Sequence, residues 1–149
     1  PDDFFDQFCF EITGSGLSKD INNLKKSILS RSLQEKVVYN NPIYGNDKIE
    51  YLKNYDLFIL PSFEEGDSIA LKEALGSYLP VIISKQCRLD IIEKYSAGIV
   101  IETNKKSIYI VVLLVIVTLH HFLSLYCHCH NLFHSYQLHF VNTNIELHQ

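Results

Sequence analysis

Apolar and polar positions fall in two kinds of block over the first hundred residues. Short, nearly continuous apolar runs stand at "FCFEIT" (Phe8–Thr13), "KVVYN", "DLFILP", "PVIIS" and "GIVIE". Runs of this length, closed by Gly, Pro, Asn or Ser, predict strands buried on both faces of a parallel sheet. Between them lie segments with helical spacing. Residues Ser18 to Leu33 put Leu24, Ile28 and Leu29 on one face, with Ser18 or Asp20 as the cap. A short helix from Lys48 to Asn54 follows the turn-rich "NNPIYGND". Leu71, Ala74, Leu75 and Tyr78 then fall at i, i+3, i+4 and i+7, one helix face, and "LDIIEKYS" predicts a last short helix. Strand and helix alternate with short connections. That order implies a Rossmann-like α/β fold, a parallel sheet with helices on both faces and right-handed crossovers.

Composition divides the chain. All 13 Lys and Arg, and 16 of the 17 acidic residues, lie in residues 1–106, whereas all seven histidines lie after them. The domain is therefore assigned to 1–106 and an apolar, His- and Cys-rich tail to 107–149. A net charge of −4 does not suit a nucleic-acid binder. Four cysteines in this composition do not read as a disulfide framework. The chain begins at Pro1 and holds no methionine, so the expectation is a piece of a longer protein. No secretory leader is legible, which makes the cytosol or the cytosolic face of a membrane the default location.

Candidate chemistry sits where strands end, since open parallel sheets bind ligands beyond the carboxyl ends of their strands. Gly14-Ser15-Gly16 closes the first strand, and its glycines would let a ligand approach the backbone and leave amides free for an anion. In the second loop, Pro61 to Ser68, Gly66 permits a tight turn and Asp67 or Ser68 caps the helix that follows. The amides at that helix start suit a phosphate. Glu65 stands just before the helix. Glu73 lies about 100° or more off its apolar stripe and leans back toward the same mouth. Two carboxylates there would accept hydrogen bonds from sugar hydroxyls. On spacing alone, a solvated helix glutamate and a dipole-facing one are the simpler reading.

"DLFILPSFEEGDSIALKEALGSYLPVIIS" carries more than spacing. It resembles the signature of retaining, GT-B-fold glycosyltransferases of the glycogen-synthase-like and sucrose-synthase-like group. Glu65, Gly66, Glu73, Ala74, Pro80 and Val81 fall on that pattern. "FEITGSG", "VVYNNPIYGNDKIEYLKNYDLFILPS" and "AGIVIETN" look like neighbouring parts of the same carboxy-terminal domain, so the resemblance covers about residues 8–106. It implies a nucleotide-sugar donor, an acceptor of unknown kind, transfer with retention and no bound metal. Glu65 matches the catalytic-site glutamate that contacts the donor sugar. Glu73 matches the one that holds the ribose hydroxyls. The amides of Asp67, Ser68 and Ile69 match those that read sugar hydroxyls and phosphate, and Gly14 and Gly16 the turn near the diphosphate. The chain departs from the family at Tyr78, where glycine is usual. It also departs in what precedes residue 8, where the family carries its diphosphate-binding Arg and Lys and, further upstream, an acceptor domain. Lys19, Lys85 and Arg88 are not obvious substitutes. The resemblance thus implies a donor-binding half that is inactive alone. The alternative is a non-catalytic Rossmann-like fragment or a membrane-tethered product.

The tail allows other readings. Ile108 to Tyr126 spans 19 residues, long enough to cross a membrane, but His120 and His121 interrupt it and the apolar run to Leu119 is 12 residues. Cys127, His128, Cys129 and His130, with His120, His121 or His134, are zinc-type donors packed more tightly than usual zinc spacings. The favoured reading is a tail foreign to the family, poorly ordered or an ad hoc apolar helix, and prone to aggregate.

Overall fold

The structure is a computed structural model. It describes residues 8–45, 47–63, 66–87, 90–112 and 114, together with the backbone of 136–141. The elements run β1 (Phe8–Thr13), α1 (Ser18–Ser30), β2 (Val37–Asn40), α2 (Asp47–Leu52), β3 (Leu57–Leu60), α3 (Ile69–Gly76), β4 (Val81–Ser84), α4 (Ile91–Lys94), β5 (Gly98–Ile101) and β6 (Tyr136–Val141). A 3₁₀ turn, Lys85–Cys87, joins β4 to α4. Residues 105–112 are also helical.

All the strand pairs are parallel, in the order β2-β1-β6-β3-β4-β5. The five strands expected from the apolar runs are present, and the Rossmann-like parallel arrangement follows from their alternation with helices. From β1 the chain winds outward through α1 to β2. From β3 it winds the other way through α3 and α4 to β5. The winding reverses between β1 and β3, the position at which such sheets open a crevice.

Alternate residues of the central strands feed two cores. Phe58, Leu60, Val81 and Ile83 pack with Leu52, Tyr55, Ala70, Leu71, Ala74 and Ile92, beneath α2, α3 and α4. Leu57, Ile59 and Ile82 face the other way and join Phe8 and Ile101. Both faces being covered explains why these strands read as continuous apolar runs. Each fully buried Leu, Ile or Phe contributes about 1.5–3 kcal/mol. Gly98 lets β5 lie close to β4: a Cβ there would stand 2.0 Å from the Val81 carbonyl oxygen.

Three local expectations are corrected. Ser18 does not cap α1; it is the first helical residue, the cap position is Leu17, and no side chain closes it. Of that helix's expected apolar face, Leu24 and Ile28 are half-buried and Leu29 is exposed. Tyr78 does not extend the buried stripe of α3, because the helix ends at Gly76 and Tyr78 is 95% exposed. Its φ of +63° places it in the left-handed region, so it strains the backbone and does not crowd the helix end.

The described parts of the tail lie against the domain. Ile108, Val111 and Val112, on the helix at 105–112, pack on the second core. β6 pairs with β1 from Phe8↔Tyr136 to Thr13↔Val141 and with β3 from Leu57↔Leu138 to Ile59↔Phe140. Among the described residues, no helix is long and apolar enough to cross a membrane, and no group of three metal-type side chains forms. His120, His121, the Cys127–His130 cluster and His134 lie outside the described residues.

Candidate donor site

A cavity of about 220 Å³ opens at the carboxyl ends of the strands near the reversal of winding. Its walls come from five places. Thr13, Gly14 and Ser15 form the end of β1, and Pro42, Ile43 and Tyr44 the loop after β2. Lys48, Tyr51 and Leu52 come from α2, and Phe58 and Ala70 close the floor from β3 and α3. Lys48 is the one charged residue among the described lining residues.

The Gly14 turn is pinned to β2. The Tyr39 hydroxyl donates to the Gly14 carbonyl at 2.8 Å, and the Gly14 amide makes a long bond, 3.4 Å, to the Asn40 carbonyl. The Gly14 amide is therefore engaged rather than free, as the glycine turn had suggested. Gly14 lines the cavity and the exposed Gly16 does not.

The start of α3 is built by Ser68. Its side chain is 1% exposed and its Oγ accepts from the Leu71 amide at 3.3 Å, while its carbonyl accepts from the Lys72 amide at 3.2 Å. This settles the cap on Ser68 and leaves the first helical amides, those of Ile69 and Ala70, without an intrahelical acceptor. The Ile69 side chain is 68% exposed, and Ala70 is buried against the cavity. Asp67 is exposed and pairs with Lys72 instead of capping. Gly66 does not adopt the left-handed φ that its expected turn would need, and a Cβ on it would meet nothing within 4 Å. The fold itself thus does not require glycine there.

Two hydroxyls hold the beginning of this loop. Ser84 Oγ donates to the Ser62 carbonyl at 2.5 Å, and Thr103, whose hydroxyl donates to Gln86 Oε1, sets its Oγ1 3.4 Å from the same oxygen. The Cys87 thiol, buried beside Ser84, reaches the Leu60 carbonyl at 3.7 Å. The ends of β3, β4 and β5 are thereby tied together under the mouth.

Glu73, which is not among the described lining residues, reaches the cavity through Lys48. Its Oε2 lies 2.5 Å from Lys48 Nζ, and the two side chains are 28% and 27% exposed. α2 and α3 are thus joined across the cavity wall by an ion pair worth about 1 kcal/mol or less at such exposure. Glu65 lies outside the described residues, as do Glu64 and Arg88.

Sequence reasoning missed the polar network behind the cavity. Glu11, in the middle of β1, accepts from the Tyr51 and Tyr55 hydroxyls of α2 and its C-terminal turn and from the Asn40 amide of β2. Thr13 Oγ1 joins Tyr51 at 2.9 Å, and the two tyrosine rings stand 5.1 Å apart. Burial, then the Glu11 carboxylate, pushes both phenols above their ordinary range. The network anchors α2, and with it Lys48, to the sheet. A charged residue inside an apolar strand, with two tyrosines four apart at the end of α2, was the available signal.

The glycosyl transferases group 1 profile matches residues 5–110, well over half of the chain. The chain belongs to the glycosyl transferases group 1 family, and its general chemistry is glycosyl transfer. No curated protein and no solved structure matches it.

Proposed function

We propose that this chain is the donor-binding half of a retaining GT-B glycosyltransferase and takes a nucleoside-diphosphate sugar. The observation that carries this reading is the convergence of three anion- and hydroxyl-binding features on one cavity. These are the Ser15 turn after β1, the helix start at Ala70, and Lys48 with the Glu73 carboxylate that pairs with it. The amides of Asp67, Ser68 and Ile69 would meet the sugar hydroxyls and phosphate. Gly14 and Gly16 let the diphosphate approach β1, and Gly66 leaves room for the sugar. Glu73 accepts the ribose hydroxyls, and Glu65 contacts the donor sugar. The departing diphosphate is stabilised by oriented amides and a nearby cation. Acceptor choice belongs to a partner domain, so transfer by this chain alone is not expected.

Titration with UDP-glucose, ADP-glucose and GDP-mannose, followed by backbone amide NMR, tests the reading. Shifts should concentrate at Gly14, Gly66, Ala70 and Glu73 for one of the three. No shift there with any of them sinks it. Glycosyl transfer should appear only when an acceptor-binding domain is supplied.

A further inference from the structure

We infer that Lys48 is a further donor-reading residue, the cation that meets the diphosphate, and that its pair with Glu73 is the unliganded form of the site. The inference rests on the nucleotide-binding reading of the cavity. It goes beyond that reading by assigning a role to a lysine to which the resemblance gave none.

Lys48 lines the cavity in which Ser15 and Ala70 also stand, and it carries the one charge among the described lining residues. Its ammonium is held by Glu73 Oε2 at 2.5 Å, with roughly a quarter of each side chain exposed. Glu73 Oε2 is itself buried and accepts no hydrogen bond among the described residues, so Lys48 alone balances it and an arriving hydroxyl donor would satisfy it. A nucleoside diphosphate offers each partner a replacement of the right polarity. Phosphate oxygens accept from the ammonium, and ribose hydroxyls donate to the carboxylate. Neither charge is then left without a partner in the complex. A nucleoside lacking phosphate replaces only the carboxylate's partner and strands the ammonium.

Lys48 is placed for this by the anchoring of α2. Tyr51 and Tyr55 fix the helix to Glu11 on β1, which sets the lysine stem against the wall next to the β1 turn. Two lysines near the strand ends are engaged elsewhere: Lys72 pairs with Asp67 and Lys85 with Glu102.

The test compares uridine, adenosine and guanosine diphosphates, each against its own nucleoside, by calorimetry on the 149-residue chain. For the base that binds, Lys48→Met should lower diphosphate affinity about tenfold or more while nucleoside affinity holds or rises. Lys48→Arg should keep the diphosphate preference within about threefold, since charge and donors remain. Glu73→Gln should weaken nucleoside and diphosphate alike. The double variant Lys48→Met with Glu73→Gln removes any unpaired carboxylate. It should show the same lost preference if the single variant melts early. A Lys48→Met chain that melts like the parent and keeps its diphosphate-to-nucleoside ratio overturns the assignment. Binding of none of the three diphosphates by the parent chain overturns the nucleotide-binding reading itself.

Discussion

Glu11 shows how one residue can organise a site without entering it. A carboxylate on a half-buried strand is costly unless donors surround it. Here two phenols and an amide do so, and the same bonds fix the helix that carries Lys48. Replacing Tyr55 by Phe removes one donor and leaves the carboxylate under-satisfied. That variant should be less stable by about 1–2 kcal/mol in urea or guanidinium unfolding. The alkaline limb follows from the same contacts. Both tyrosines ionise later in the folded chain than in the unfolded one, so the unfolded state sheds protons first. Stability is full below about pH 10 and falls as pH rises beyond it. A melting series from about pH 8 to about pH 11 should show this decline, and Tyr55→Phe should flatten it.

At the scale of elements, three helices end in the same way. After α3, the Leu79 amide bonds to the Ala74 carbonyl at 3.1 Å and the Tyr78 amide to that of Leu75 at 3.0 Å. The same pair of bonds follows α1, through Leu33 and Ser32, and α4, through Ala97 and Ser96. This is the Schellman arrangement, which places one residue in the left-handed region and favours glycine there. The chain uses Tyr78, Ser32 and Ser96, at φ of 63°, 55° and 52°. A left-handed L-residue costs about 1–2 kcal/mol, so Tyr78→Gly should raise stability by about 1 kcal/mol. Because the Tyr78 side chain is 95% exposed, little packing is lost. A higher denaturant midpoint at unchanged slope would bear this out, and a lower midpoint would count against it. Gly98→Ala should do the reverse. Its Cβ would collide with the Val81 backbone, and separating β4 from β5 should cost about 3 kcal/mol.

For the whole molecule, the decisive feature is the strand between β1 and β3. β6 bonds to both neighbours, so it joins the half that carries the Gly14 turn to the half that carries α3. Leu138 is opposite Phe10 on one side and Leu57 on the other. Leu138→Pro removes a backbone donor from a central strand and should abolish the cooperative melting transition seen by circular dichroism. If the melt is unchanged, the two halves cohere without this strand.

Five strands, the helices between them and the capping region of α3 were legible in the sequence, because each is encoded by local periodicity or by one residue such as Ser68. Three things were not. Residues about 40 apart in sequence form the network of Glu11 with Tyr51 and Tyr55, and the pair of Lys48 with Glu73 exists only once α2 and α3 share one face of the sheet. The place of Tyr136–Val141 was hidden for the same reason, since a strand's neighbours are chosen by the sheet that receives it. Local pattern determined the elements and the family. Contacts between distant segments decided which charges face the cavity and what holds them there.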